Sequence, residues 1–535
     1  MKKNSFLRGA AALGAAGIIV KIIGAFFRIP LGNIIGSQGM GYYQVAYNVF
    51  NFLLAFTAAG FPTAISKLVS EKRAKGNYKG AHKIFKTSFF LLLFLGVTAS
   101  VLMVFITPFL ARTLFKSPHA YYAILALSPT IFVVSLLASF RGYFQGMNDM
   151  KPTAISQIVE QMARVTIGIM LAVFFLRYYN IKLAAAGGVL GAFAGAFMGL
   201  IAMVMIYKRK APNITTKIDT TITYVEETTR EIIKNLLKMA FPIAIGAAVI
   251  PVINMLDTII VLRRLQSIGF TYAEATSLFG QLQGMAMTLI NLPQVLTIAL
   301  AVSLVPVISE ASIGNNWKAV QSDTKMALKM AILIGLPASV GLAVLATPIM
   351  TLLFPREPSS IGQILLFLSP AVFFLTQLQA LTGVLQGLGK PHIPVRNLIA
   401  GAAFKILITY VLTGIMTLNV KGAAIGTVVA YFVAFILNYY SVKKETKTKM
   451  VYLKIVLKPA LAVSVMGILI FIIYNKLLYL IGNNKATLIA IVCGGLVYLA
   501  MLLVTKTLTK EDLELFPGGV RLLKQLEEIK MIFRK

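Results

Sequence analysis

Long apolar runs alternate with short polar gaps along the whole chain. A helix must be about 20 residues long to cross a bilayer. Runs of that size predict fourteen membrane spans. In the first half they fall at 10–35, 42–66, 85–110, 120–144, 153–176 and 183–207. In the second half they fall at 236–261, 276–306, 326–353, 361–387, 394–416, 422–442, 455–477 and 486–505. No gap is large enough for a folded soluble domain. The longest, at 208–235, is charged and threonine-rich and reads as a connector.

The two halves repeat each other. Thr107-Pro108, Leu114-Phe115, Ser128-Pro129, Gln145-Gly146 and Lys151-Pro152 occur in that order. Thr347-Pro348, Leu353-Phe354, Ser369-Pro370, Gln386-Gly387 and Lys390-Pro391 follow in the same order at an offset of about 240 residues. Upstream, Phe61-Pro62 answers Val305-Pro306; downstream, Gly187 and Gly191 answer Gly422 and Gly426. The offset covers an even number of spans, so both copies run the same way through the membrane. The expected fold is an all-α polytopic membrane protein. Two parallel-repeat six-helix bundles surround a central cavity, and two C-terminal helices follow. The expected divisions are a bundle at 1–207, the connector at 208–235, a bundle at 236–442, two further helices at 443–506 and a tail at 507–535. In the tail, Leu522, Leu526, Ile529 and Phe533 share one face of an amphipathic helix, suited to the inner leaflet surface or to a cytoplasmic partner.

Composition supports the membrane assignment. Hydrophobic residues make up 58% of the chain and charged residues only 13%, against roughly 25% charged in soluble domains. The net charge of +33 does not imply nucleic acid, because the basic residues sit in short clusters between apolar runs. With the N-terminus inside, internal loops carry roughly four times as many Lys and Arg as external ones, as the positive-inside rule requires. An even span count places both termini inside. One cysteine, Cys493, and three scattered histidines, His82, His119 and His392, imply no disulfide, metal site or other cofactor. No phosphate loop, HExxH or carboxylate pair backed by histidine is present, so no enzyme is expected.

Chemistry concentrates on polar residues within the spans. On the first, Gly14, Gly17, Lys21, Gly24 and Arg28 share one helical face. Charges inside a span usually face protein or a wet cavity. Either the stripe lines an anion-binding cavity, or the glycines only allow close packing while Lys21 and Arg28 snorkel to opposite surfaces. The second span aligns Gln44, Asn48 and Asn51. The fifth carries Gln157, Glu160 and Arg164, the last two at a spacing that permits pairing. The eighth aligns Gln281, Gly284, Thr288 and Asn291 ahead of Pro293, which should bend it. These residues either contact substrate or bond helix to helix. Asp257 and Lys405 are candidate gate or ion-coupling residues of the second half.

Particular segments carry a resemblance. Arg28-Ile29-Pro30-Leu31-Gly32, Phe140-Arg141-Gly142-Tyr143-Phe144-Gln145-Gly146-Met147 and Leu385-Gln386-Gly387-Leu388-Gly389-Lys390-Pro391 resemble the multidrug/oligosaccharidyl-lipid/polysaccharide (MOP) exporter superfamily. The nearest branch is the stage V sporulation protein B type, close to the MurJ lipid II flippases. The resemblance implies a bacterial plasma-membrane flippase without a cofactor. It would carry an undecaprenyl-diphosphate-linked cell-wall precursor, with lipid II foremost, from inner to outer leaflet by alternating access. Lys21 and Arg28 would be the cations facing the diphosphate. It also implies a monomer in contact with membrane lipids, with cell-wall synthases as candidate partners. Around Ala286 to Pro293 this chain carries Met287, Thr288 and Asn291, where MurJ relatives show charged residues. Two alternatives remain: a cation-coupled drug antiporter of the same superfamily, and a lipid-binding scaffold that moves nothing.

Overall fold

The computed structural model describes residues 2–55, 60–219, 227–446, 452–505 and 507. Every regular element among them is helical. In chain order the α-helices are α1 (Lys2–Leu54), α2 (Phe61–Ala74), α3 (Tyr78–Phe109), α4 (Tyr121–Gly146), α5 (Lys151–Tyr178), α6 (Ile181–Asp219), α7 (Thr229–Ser267) and α8 (Tyr272–Phe279). They continue with α9 (Met287–Ile313), α10 (Trp317–Val344), α11 (Ala346–Leu353), α12 (Ile361–Leu368), α13 (Pro370–Gly387), α14 (His392–Thr413), α15 (Val420–Thr446) and α16 (Tyr452–Val504). Two π-helical stretches, Leu110–Leu114 and Gly280–Ala286, extend α3 and join α8 to α9. The irregularity expected at Pro293 therefore lies a turn or more earlier, and Pro293 itself stands inside α9.

Twelve described helical stretches are long and apolar enough to cross a membrane. Two of them, containing α1 and α16, reverse direction at a glycine, and each covers two of the fourteen expected spans. Gly36 takes φ 65° and ψ −180°, a backbone state open mainly to glycine. The rings of Phe27 and Tyr43 then meet at 6.4 Å, whereas a straight helix would hold those residues about 24 Å apart. Gly482 does the same in α16 at φ 75°, so that Gly494 packs on Ile470.

The chain falls into two compact units. One comprises Met1–Thr288 with Ile406–Ala423, and the other Leu289–Lys405 with Ala424–Lys535. In the first, the Phe140 to Met147 segment builds the core. Phe85 packs on Tyr143 at 4.7 Å and on Phe140 at 5.1 Å, with Tyr207 closing the cluster. Gly142 and Gly146 let α4 approach Ile65 and Val69 of α2. In the second unit, Gly383 and Gly387 of α13 likewise approach Ala301 and Ile308 of α9. The repeated sequence thus packs the same way twice.

The repeats also share a tie with its polarity exchanged. Asp149, before α5, pairs with Lys210 near the end of α6. Lys390, before α14, pairs with Glu445 near the end of α15. α6 runs to Asp219 and α7 starts at Thr229, so both helices reach into the stretch read as a connector. The tail at 508–535 lies outside the described residues.

Candidate functional site

The reversal at Gly36 brings Arg28 beside the returning half of α1. There, Tyr43 and Tyr47 occupy successive turns with their rings stacked at 5.7 Å and 11°. Arg164 of α5 approaches the same pair. Its Nη1 donates to the Tyr47 hydroxyl at 3.3 Å, and its guanidinium lies 5.8 Å from that ring's centroid. Arg28 and Arg164 both act electrostatically on Tyr43. Two like charges therefore converge on one aromatic pair. Among the described residues no ion pair involves Arg28 or Lys21, and the buried Nε of Arg164 has no hydrogen-bond partner.

Glu160 does not form the ion pair with Arg164 that their spacing on α5 permits. Its carboxylate accepts from Nη2 of Arg141 at 2.7 Å, and Nε of Arg141 donates to the Ser156 hydroxyl at 3.1 Å. Arg141 comes from α4, so a neighbouring helix wins over the helix's own next turn. Close packing fixes this arrangement. A Cβ on Gly195 of α6 would lie 2.4 Å from the Glu160 carbonyl, so α6 can seat against the backbone that carries both charges.

The glycine stripe of the first span is only partly covered. Gly14 and Gly17 face open space, and a Cβ on Gly24 would meet the Gln161 amide at 3.2 Å. Lys21 is exposed and Arg28 half-buried.

A second polar group lies on an adjoining face of the returning segment. Gln44 donates to Asn48 at 3.0 Å, and Asn48 donates to the Thr258 hydroxyl of α7 at 2.9 Å. One residue earlier on α7, Asp257 accepts from Gln283 at 3.0 Å. The Thr288 hydroxyl is spent on its own helix, donating to the Gly284 carbonyl. Gln281 is buried, while Asn51 and Asn291 are half-buried. Lys405 is buried in the second unit. The structure thus brings Arg28 and Arg164 to Tyr43, ties Glu160 to Arg141, and sets Asn48 of α1 on Thr258, the neighbour of Asp257 in α7. Sequence reasoning missed Tyr43, Tyr47, Arg141, Thr258 and Gln283. Tyr43 and Tyr47 were visible as an i, i+4 aromatic pair beside the polar stripe, and Arg141 as the charge within a recognised segment.

The sequence profile described as polysaccharide biosynthesis protein matches residues 6–312, more than half of the chain. The chain belongs to the polysaccharide biosynthesis protein family. A second profile, MatE, matches residues 283–411. Stage V sporulation protein B of Bacillus subtilis strain 168 is 29% identical, over 97% of this chain and 98% of the relative. The lipid II flippase MurJ of the same organism is 26% identical, over 93% and 94%. Among solved structures, a lipid II flippase MurJ in an inward closed conformation superposes with a TM-score of 0.64 at 20% identity, covering 92% of this chain and 98% of that one. An inward-facing multidrug resistance MATE transporter superposes with a TM-score of 0.62 at 18% identity, covering 81% and 100%. This family member therefore has the fold of the MOP superfamily and is a multi-pass membrane protein.

Proposed function

We propose that the protein is a flippase that carries a diphosphate-linked glycan lipid, with lipid II as the first candidate, from the inner to the outer leaflet. The observation that carries the proposal is the convergence of Arg28 and Arg164 on Tyr43, with the buried Arg164 Nε unmatched. A diphosphate supplies an acceptor for the unmatched Arg164 Nε and balances two cations whose one nearby carboxylate, Glu160, is bonded to Arg141. Lys21, on the same face two turns before Arg28, is a further cation on the headgroup's route. Asn48, Asn51, Gln281 and Asn291 are proposed to meet the sugars, and Thr288 to contribute through its backbone turn. Asp257, held by Gln283, and Lys405 are proposed gate residues. The name of one Bacillus relative, the lipid II flippase MurJ, agrees with this substrate class.

The driving force follows from charge. A headgroup of about two negative charges leaving a negative-inside cell gains about 4–5 kcal/mol at 100 mV. No dedicated coupling ion is needed. The protein is placed in a bacterial plasma membrane with both termini inside, acting as a monomer, with cell-wall synthases as partners.

The MatE match favours a second reading, a cation-coupled drug antiporter. Such a carrier wants an accessible acid. Here Glu160 is tied to Arg141 and Asp257 is buried against Gln283, which weighs against it. Proteoliposomes separate the two readings. Flipping of a fluorescent undecaprenyl-diphosphate glycan, lost in the Arg28→Gln/Arg164→Gln variant, is expected. Drug counterflow without headgroup flipping would overturn the proposal.

A further inference from the structure

α7 begins with a charged face that the anion site does not use. Over its first turns Arg230, Lys234 and Lys238 recur every fourth residue, and all are exposed. Two positions after each stands a buried residue: Ile232, Leu236 and Ala240. Two residues turn a helix by about 200°, so the cations point away from the row that packs on the protein. The packed side is close. A Cβ on Gly60, just before α2, would lie 2.3 Å from the Ala240 carbonyl oxygen.

Neighbouring basic residues are matched. Lys67 pairs with Glu71 at 4.0 Å, Lys72 with Glu227 at 2.7 Å, and Lys210 with Asp149. Among the described residues, no ion pair involves Arg230, Lys234 or Lys238. The adjacent acid, Glu231, is held in a capping box, where its carboxylate accepts from the Thr228 backbone N–H at 2.8 Å. The row is net positive even with that carboxylate counted.

Depth follows from the sequence. Residues 239–256 carry no charge and, as helix, cover about 27 Å, close to the hydrocarbon thickness of about 30 Å. Lys238 thus stands at the hydrocarbon boundary. Arg230, about 12 Å before it, reaches through the headgroup layer, which is about 5–8 Å deep. Beside and beyond Lys238 the same face is apolar and exposed, with Leu237 at 41%, Phe241 at 61% and Ile245 at 50%. From Arg230 to Ile245 this face offers cations and apolar groups but no amide or hydroxyl. A glycan needs hydrogen-bonding groups. A phospholipid of net negative charge needs only cations at its phosphate and an apolar rest for its chain.

We propose that this face of α7 binds an anionic glycerophospholipid, with the phosphate between Lys234 and Lys238 and an acyl chain along Phe241 and Ile245. The site rests on the membrane assignment alone, so it stands whether or not the protein moves a lipid-linked glycan.

The test offers the purified full-length protein equal amounts of phosphatidylglycerol and phosphatidylcholine with matched chains, and native mass spectrometry counts the lipid retained. The wild type is expected to hold phosphatidylglycerol with about tenfold preference, and Arg230→Gln/Lys234→Gln/Lys238→Gln to lose that preference. Glutamine favours a helix about as well as lysine does, so α7 persists. Lys67→Gln/Lys208→Gln/Arg209→Gln removes as much charge elsewhere and should keep the preference. No preference in the wild type, an unchanged one in the α7 variant, or the same loss in the other variant would overturn the site. Location is read separately, with the one native tryptophan, Trp317, replaced by phenylalanine and Phe241→Trp as the reporter. Brominated phosphatidylglycerol should quench its emission at least about threefold more than brominated phosphatidylcholine, and only while the cations are present. Equal quenching by the two lipids would also overturn the site, as would displacement of phosphatidylglycerol by an equimolar undecaprenyl-diphosphate glycan.

Discussion

Arg141 on α4 holds Glu160 on α5 at 2.7 Å, although Arg164 stands one turn along the same helix as that carboxylate. The side chains of Arg141 and Glu160 are only 16% and 18% exposed. Removing one partner leaves the other charged in a poorly solvated place. Arg141→Gln or Glu160→Gln alone should each cost roughly 3 kcal/mol. The double variant should cost clearly less than the sum of the two, as read by thermal unfolding of the purified protein in a double-mutant cycle.

The hydroxyl of Tyr47 accepts from Arg164 and orients its guanidinium. Hydrogen bonds to charged groups contribute about 1.5–3 kcal/mol. Tyr47→Phe keeps the ring and its stacking on Tyr43, so the fold should persist. Affinity for a water-soluble diphosphate-linked headgroup, measured by calorimetry, should fall about tenfold, which corresponds to the low end of that range. An unaltered Kd would show that Arg164 needs no such mount.

Asn48 and Thr258 join the first and seventh helices by a buried hydrogen bond of 2.9 Å. Thr258→Val removes the acceptor and strands the Asn48 amide, at a cost of about 1–3 kcal/mol. Asn48→Leu combined with Thr258→Val should recover part of that loss. Chemical denaturation monitored by the lone tryptophan, Trp317, is the wrong probe here, because Trp317 lies in the other unit; thermal scanning serves instead.

Transport should follow membrane potential. At fixed ion gradients, collapsing 100 mV removes about 4–5 kcal/mol of driving force for a headgroup of about two charges. Flipping in proteoliposomes should slow sharply under that treatment. A rate insensitive to potential would point to ion coupling through the buried Asp257.

Much of the architecture was legible because its causes are local in sequence. Apolar runs set the spans, and ordered motifs such as Gln145-Gly146 and Gln386-Gly387 set the repeat. Even the packing of Gly142 and Gly383 could be foreseen from that order. The partner of Glu160 could not. Spacing on one helix pointed to Arg164, while the pairing that forms depends on how α4 lies against α5, which no periodicity reveals. The same holds for Tyr43, whose importance arises only once Gly36 turns the chain back on Arg28. The Thr288 hydroxyl donates to the Gly284 carbonyl of its own helix, a local bond that the spacing of residues on one face does not reveal.

The most direct measurement is native mass spectrometry of lipid that co-purifies with the protein from a bacterial membrane, for the wild type and for Arg28→Gln/Arg164→Gln. A diphosphate-linked glycan lipid retained by the wild type and lost from the variant is the predicted result. Equal retention in both, or no such lipid on the wild type while other anionic lipids remain bound, would contradict the account.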